Sequence, residues 1–165
     1  MNIKFVVFDF DGVFTDGQIT IDFNGNIIKS YNCKDGMGIS LLKKNNIEVG
    51  VISGYKENKS QMNILKHLKI KYIGLGVKNK IELLKKWCTE LNINLKTEVA
   101  YIGDDLNDLQ IINEVKYSAC PSDAVSEIKD KVKLILTKKG GKGCVREFCE
   151  YILNKKNIDL IKTFI

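Results

Sequence analysis

The feature that most constrains this chain is a rhythm in which short apolar runs rich in β-formers alternate with helical patterns. The runs are Phe5 to Phe8, Val49 to Ile52, Tyr72 to Gly74, Val99 to Ile102 and Leu134 to Leu136. Unbroken apolar runs, lacking the polar alternation of a half-exposed strand, belong to strands covered on both faces. Between them, Lys80 to Leu91 reads as a helix, because Ile81, Leu84, Trp87, Cys88 and Leu91 recur at three- and four-residue steps. Gly38 to Asn45, Asn58 to Leu68, Asp108 to Asn113 and Gly143 to Leu153 fit the same pattern. The alternation predicts a doubly wound α/β fold, a mostly parallel sheet with helices on both faces. One segment breaks it: residues 18–31 read as a β-hairpin about Asn24-Gly25, projecting just after the first core strand. A length of 165 residues suits one domain, 1–165, and leaves little for a second.

Charge and cysteine usage narrow the function. The net charge is +6, yet Arg146 is the sole arginine and the lysines are scattered, which argues against a nucleic-acid partner. Cysteines 33, 88, 120, 144 and 149 show no C-x-x-C spacing and suit a reducing cytoplasm. The start runs directly into Ile3 to Phe8 without a secretory pattern, and no apolar run approaches membrane-spanning length. A soluble, cytoplasmic protein with no membrane partner is expected. His67, the only histidine, sits in a lysine-rich stretch away from every motif and is given no role.

Four features fall at the expected carboxyl ends of core strands, the edge where open α/β sheets bind ligands. Asp9-Phe10-Asp11-Gly12 follows the first strand. Two carboxylates one residue apart leave the strand end together and repel unless a cation lies between them. A hard ion such as Mg²⁺ fits, since it takes carboxylate, water and phosphate oxygens. One aspartate can then attack phosphorus while the other moves a proton to the leaving group. Ser53-Gly54 ends the second strand and offers hydroxyl and N–H donors to a phosphate. Lys80 opens the Trp87 helix as a fixed cation. Gly103-Asp104-Asp105-Leu106-Asn107-Asp108 adds carboxylates for the metal, although Asp105 and Asp108 equally suit a helix N-terminus.

In this order and spacing the motifs resemble those of the haloacid dehalogenase superfamily, over residues 3 to about 137. The resemblance implies Asp9 as nucleophile and metal ligand, Asp11 as acid/base and ligand, Ser53 and Lys80 on phosphate, Asp104 as ligand, and Asp105 and Asp108 as supports. A narrower resemblance, carried by Asp11 to Gly17, the hairpin, Tyr31 to Ile39 and Gly140 to Glu147, is to the capless branch that dephosphorylates 3-deoxy-D-manno-octulosonate 8-phosphate and sialic-type nonulosonate 9-phosphates. It implies a homotetramer whose sites are closed by the hairpin and a neighbouring subunit, and substrate contacts from Asn32, Lys34, Asp35 and Gly36 as well as Ser53, Gly54 and Lys80. The octulosonate enzymes generally carry arginines where this chain has Ser40, Tyr55 and Asn63, so the length of the sugar acid stays open.

Other readings stand beside this one. A broad metabolite phosphatase or a phosphomutase uses the same constellation, though without a cap the mutase is disfavoured. A catalytically silent oligomerisation module of a sugar-nucleotide synthetase has no need to keep Asp9, Asp11, Lys80 and Asp104. Gly140, Gly141 and Gly143 fit a flexible loop before a helix, and equally a contact with phosphate or a neighbouring subunit.

Overall fold

Phe5, Val6, Val7 and Phe8 are all fully buried, as a strand covered on both faces requires. They form β1 (Phe5–Phe8) of a computed structural model that describes residues 1–163. The chain continues through β2 (Thr20–Ile21), β3 (Ile27–Ile28), α1 (Cys33–Lys44), β4 (Glu48–Ile52), α2 (Lys59–His67) and β5 (Tyr72–Gly74). Then follow α3 (Lys80–Leu91), α4 (Leu95–Glu98) and β6 (Val99–Ile102), and a 3-10 turn (Leu106–Asp108) that runs into α5 (Leu109–Glu114). The last elements are β7 (Tyr117–Cys120), α6 (Ser126–Lys129), β8 (Leu134–Ile135) and α7 (Cys144–Lys155).

Six strands form one sheet in the order β5-β4-β1-β6-β7-β8, every pair parallel. Successive residues of β1 feed opposite layers. Val6 and Phe8 join the core under α1, α2 and α7, while Phe5 and Val7 join the core under α3, α5 and α6. This is the doubly wound arrangement that the alternation predicts, and the described elements include no cap domain over the sheet edge. Among the described residues no helix is long and apolar enough to cross a membrane.

Three local features depart from the sequence reading. Tyr117–Cys120 forms a strand that its Ser-Ala interior conceals; its pairing with β6 and β8 supplies what propensity lacks. Helix α1 begins at Cys33 rather than Gly38, because the Asn32 side chain accepts the Lys34 N–H and caps it. Its Gly38 is a packing choice, since a Cβ there would stand 3.0 Å from the Arg146 Cα of α7. The hairpin strands are only two residues each. Their turn is closed by the Gly25 N–H on the Asp22 carbonyl, with Gly25 left-handed at φ 82° and the Asp22 carboxylate accepting the Asn24 and Asn26 N–H groups. It is a turn plus bulge rather than a two-residue Asn-Gly turn.

Candidate active site

Strand β1 lies between β4 and β6, where the strand order reverses, and such switch points open a crevice at the carboxyl edge. Adjacent strands are about 4.8 Å apart, so residues just beyond their ends become neighbours. The Asp9 N–H extends the ladder onto the Ile102 carbonyl at 2.9 Å, setting Asp9 beside the Gly103-Asp104 turn. Asp9, Asp11, Gly12, Gly17, Ser53, Gly54, Tyr55, Asp104, Asp105 and Asn107 line a pocket at this edge. Gly12 has φ 79°, and a Cβ on it would fall 1.9 Å from Asp104 Oδ2, so only glycine lets the two loops close.

Beneath the pocket lies a buried bracket. Lys80 Nζ donates to Asp9 Oδ1 at 2.7 Å and to Asp108 Oδ1 at 2.6 Å. Tyr101 Oη donates to the same Asp108 oxygen at 2.5 Å, while Asp108 Oδ2 accepts the Asp104 N–H at 3.0 Å and the Asp105 N–H at 3.4 Å. Asp108 is fully buried, and these bonds use the roughly four acceptor positions a carboxylate has. It therefore fixes Lys80 and the Asp104 loop together and has no lone pair left for an ion. Lys78, the neighbouring lysine, is exposed.

The electrostatics of the bracket favour a cation. Burial, then the charge of Asp108, raise Asp9 well above the carboxylate range despite Lys80. The same two causes lift Asp104 to about 7, against a hydrogen bond with Asp9. Burial by itself would lower Lys80, but Asp9 and Asp108 outweigh it and its pKa rises, so the ammonium persists. Tyr101 is pushed up by burial and by the charges of Asp108 and Asp9, which keeps its hydroxyl a donor. Oxygens of Asp9, Asp104 and Asp108 lie within 4.8 Å of one another. Three carboxylates against the one ammonium of Lys80 leave a deficit of two positive charges, which a hard divalent ion matches. With Asp108 saturated, Asp9 and Asp104 are the side chains able to hold it.

Each aspartate of the D-x-D pair meets a lysine of its own. Asp9 meets Lys80, whereas Asp11 Oδ1 meets Lys29 Nζ and also accepts Thr15 Oγ1 at 3.1 Å. Asp11 Oδ2 is buried without a partner. Two separate lysines thus offset part of the repulsion expected between them. Ser53, buried on the pocket wall, accepts the Tyr55 N–H on Oγ at 3.1 Å and keeps its hydroxyl proton available.

The remaining sequence candidates lie elsewhere in the chain. Asn32 caps α1, and with Lys34 it lines a separate depression beside α7. Asp35 is fully buried, with Oδ1 accepting the Arg146 N–H at 2.8 Å, and a Cβ on Gly36 would sit 3.0 Å from the Leu68 side chain. None of these four lines the pocket. Gly140 and Gly141 pack on the D-x-D loop: Gly141 donates to the Val13 carbonyl at 3.0 Å, and a Cβ on Gly140 would fall 2.0 Å from the Gly12 carbonyl oxygen. The sequence reading assigned no role to Lys29 or Tyr101. Lys29 hides in the hairpin root and Tyr101 in a core strand; a lysine in an apolar segment and a tyrosine two residues before the acidic turn were the available signals.

Comparison with known proteins agrees with this geometry. Residues 56–148 match the family model of haloacid dehalogenase-like hydrolases. The chain is 38% identical to the 3-deoxy-D-manno-octulosonate 8-phosphate phosphatase of Haemophilus influenzae, over 92% of this chain and 83% of that protein. The Escherichia coli phosphatase of the same name is 34% identical, over 92% of this chain and 80% of its own length. Among solved structures, the 3-deoxy-D-manno-octulosonate 8-phosphate phosphatase of Moraxella catarrhalis in complex with magnesium ion, phosphate ion and KDO superposes with a TM-score of 0.93 at 34% identity, covering 99% of this chain and 94% of that one. The cobalt-bound Haemophilus influenzae enzyme gives 0.91 at 35% identity, covering 99% and 96%.

Proposed function

Because the chain belongs to the haloacid dehalogenase-like hydrolases, we propose that it is a phosphoric monoester hydrolase acting on a 2-keto-3-deoxy sugar acid phosphate, with 3-deoxy-D-manno-octulosonate 8-phosphate the leading substrate. The observation that carries this reading is the bracket in which Lys80 holds Asp9 beside Asp104 at the pocket floor. The relatives, named as phosphatases of that ester, supply the substrate class.

In this reading Asp9 attacks phosphorus; a bond forms from its oxygen to phosphorus as the bond to the sugar oxygen breaks. Asp11 gives that oxygen a proton, then takes one from the water that releases phosphate from Asp9. Asp9 and Asp104, with the Asp11 main-chain carbonyl, would hold Mg²⁺, which supplies charge neutralisation for the phosphoryl oxygens when bound. Lys80 keeps Asp9 oriented and adds positive potential, and Ser53 and the Gly54 N–H bind phosphate. Asp105 and Asp108 support the loop. Asn32, Lys34 and Gly36, remote from this protomer's pocket, would reach substrate only through a neighbouring subunit, with the buried Asp35 supporting them from behind.

The whole chain would act as one capless domain in a reducing cytoplasm, assembled as a homotetramer. Ile19, Ile21, Phe23 and Ile28 of the hairpin are exposed, Phe23 at 98%, and a second copy would bury them. Sedimentation should give four protomer masses; a monomer would refute the assembly.

The deciding assay is Mg²⁺-dependent phosphate release from octulosonate 8-phosphate, nonulosonate 9-phosphates, hexose phosphates and nucleotides, compared by kcat/KM. The octulosonate ester should lead. Preference for a nonulosonate ester would follow from Tyr55 lining the pocket where the octulosonate enzymes carry an arginine. Uniformly weak turnover would replace the assignment with a broad phosphatase. Unchanged release by Asp9→Asn would refute the mechanism.

A further inference from the structure

The root of the hairpin carries a lysine that reaches into the chemistry. Lys29 follows β3, and its backbone is clamped to α2: its N–H donates to Ser60 Oγ at 2.8 Å, and Ser60 Oγ donates back to the Lys29 carbonyl at 3.2 Å. Its side chain is wholly buried, with Nζ 4.4 Å from the Tyr55 ring centroid and 5.8 Å from that of Phe10. Aromatic faces attract an ammonium and restrict where it can stand. The charge ends on Asp11 Oδ1. A lysine is rarely buried unless paired, and the partner here is the carboxylate assigned the proton transfers.

The two oxygens of that carboxylate are treated differently. Oδ1 is held by Lys29 and by the buried Thr15 hydroxyl, whereas Oδ2 is buried with no partner, and the residue lines the pocket. Resting on the phosphatase reading above, we propose that Lys29 is a positioning residue that pins Asp11 through Oδ1 and so holds in one rotamer the carboxylate that carries the proton to the leaving group and takes one back from water. In the first step Asp9 bonds phosphorus and the bond from phosphorus to the leaving oxygen breaks as that oxygen takes the proton from Asp11. In the second, a water oxygen bonds phosphorus and gives its proton to Asp11 as the bond from phosphorus to Asp9 breaks. The hairpin root thereby fixes the rotamer of the acid.

The test compares two small esters of similar size in Mg²⁺: benzyl phosphate, whose alkoxide needs the proton, and 4-nitrophenyl phosphate, whose phenolate leaves without one. A positioned acid contributes about 10²- to 10⁴-fold, so Lys29→Met should lower kcat/KM for benzyl phosphate by about 10- to 100-fold and for 4-nitrophenyl phosphate by less than about 3-fold. Equal losses on both esters would reduce Lys29 to a structural residue and overturn the proposal. A gain on either ester would mean that the pair restrains Asp11, and would overturn it too. Asp11→Asn is the reference: if it shows no leaving-group selectivity, the acid assignment fails, whereas selectivity in Asp11→Asn but not in Lys29→Met defeats the Lys29 proposal alone. Should Lys29→Met not fold, Lys29→Gln faces the same comparison, since its shorter neutral amide fills the channel without the charge that pins Oδ1.

Discussion

Replacing Asp108 by alanine tests whether the bracket holds the site together. The carboxylate is fully buried and accepts from Lys80, Tyr101 and the Asp104 N–H at 2.6, 2.5 and 3.0 Å. Removing one partner of a buried ion pair costs about 3–5 kcal/mol, and an orphaned hydroxyl about 1–3 kcal/mol more. Two effects reduce this total. Lys80 keeps Asp9 as counter-ion, and Asp9 and Asp104 lose the repulsion of Asp108 that helps to raise their pKa values. The net expectation is a loss of about 3 kcal/mol in metal-free protein, or a fall in Tm of roughly 6–12 °C for a chain of this size. Urea denaturation with and without Mg²⁺ measures it. Mg²⁺ should stabilise the variant less than the parent, because the Asp104 loop has lost its anchor and the deficit of positive charge is smaller. A loss below about 1 kcal/mol, with Mg²⁺ stabilisation intact, would show that Asp108 is a bystander and refute the bracket.

Gly12→Ala should cost about 1–2 kcal/mol for its left-handed backbone, and because its Cβ would lie 1.9 Å from Asp104 Oδ2, Mg²⁺ titration by calorimetry should show a larger loss in affinity than in fold. Mg²⁺ binding should tighten as pH rises from 5 to 8, since Asp104 at about 7 and the raised Asp9 hold protons that the ion must displace. Calorimetry in two buffers should therefore detect proton release near neutrality, and pH-independent affinity would contradict it. Asp35 is raised from 3.8 to about 6, first by burial, with the Arg146 N–H opposing. The folded state thus holds a proton that the unfolded chain loses, so this group removes up to about 3 kcal/mol of stability as pH climbs from 4 to 6 and nothing below 4. Asp35→Asn keeps the Oδ1 acceptor and should flatten that slope, being more stable than the parent at pH 7 but not at pH 3.5; parallel pH profiles would refute the assignment.

The reach of the sequence can be traced through particular residues. β1, β5, α3 and β6 fall at the bounds that apolar runs and the Ile81 to Leu91 periodicity predict, because burial on both faces writes itself into local composition. The order of Asp9, Asp11, Ser53, Lys80 and Asp104 was equally legible, since each motif ends or follows a strand, and parallel strands deliver their carboxyl ends to one edge. Strand β7 was not legible, as Tyr-Ser-Ala-Cys draws its conformation from its β6 and β8 neighbours. The early start of α1 was hidden by Gly36 and Gly38, the second of which serves close packing on α7.

Which charges meet was decided only by tertiary structure. The chain displays many lysines, and although the order of motifs singles out Lys80, no local pattern says that Lys29 and Lys80 are the two buried against the D-x-D aspartates. Lys29 lies 18 residues from Asp11, and Lys80 lies 71 from Asp9 and 28 from Asp108. Local pattern records what each residue contributes to its own strand or helix. The pairing of buried charges depends on the distances left once the sheet has closed, and their strength on the water that closing it removes.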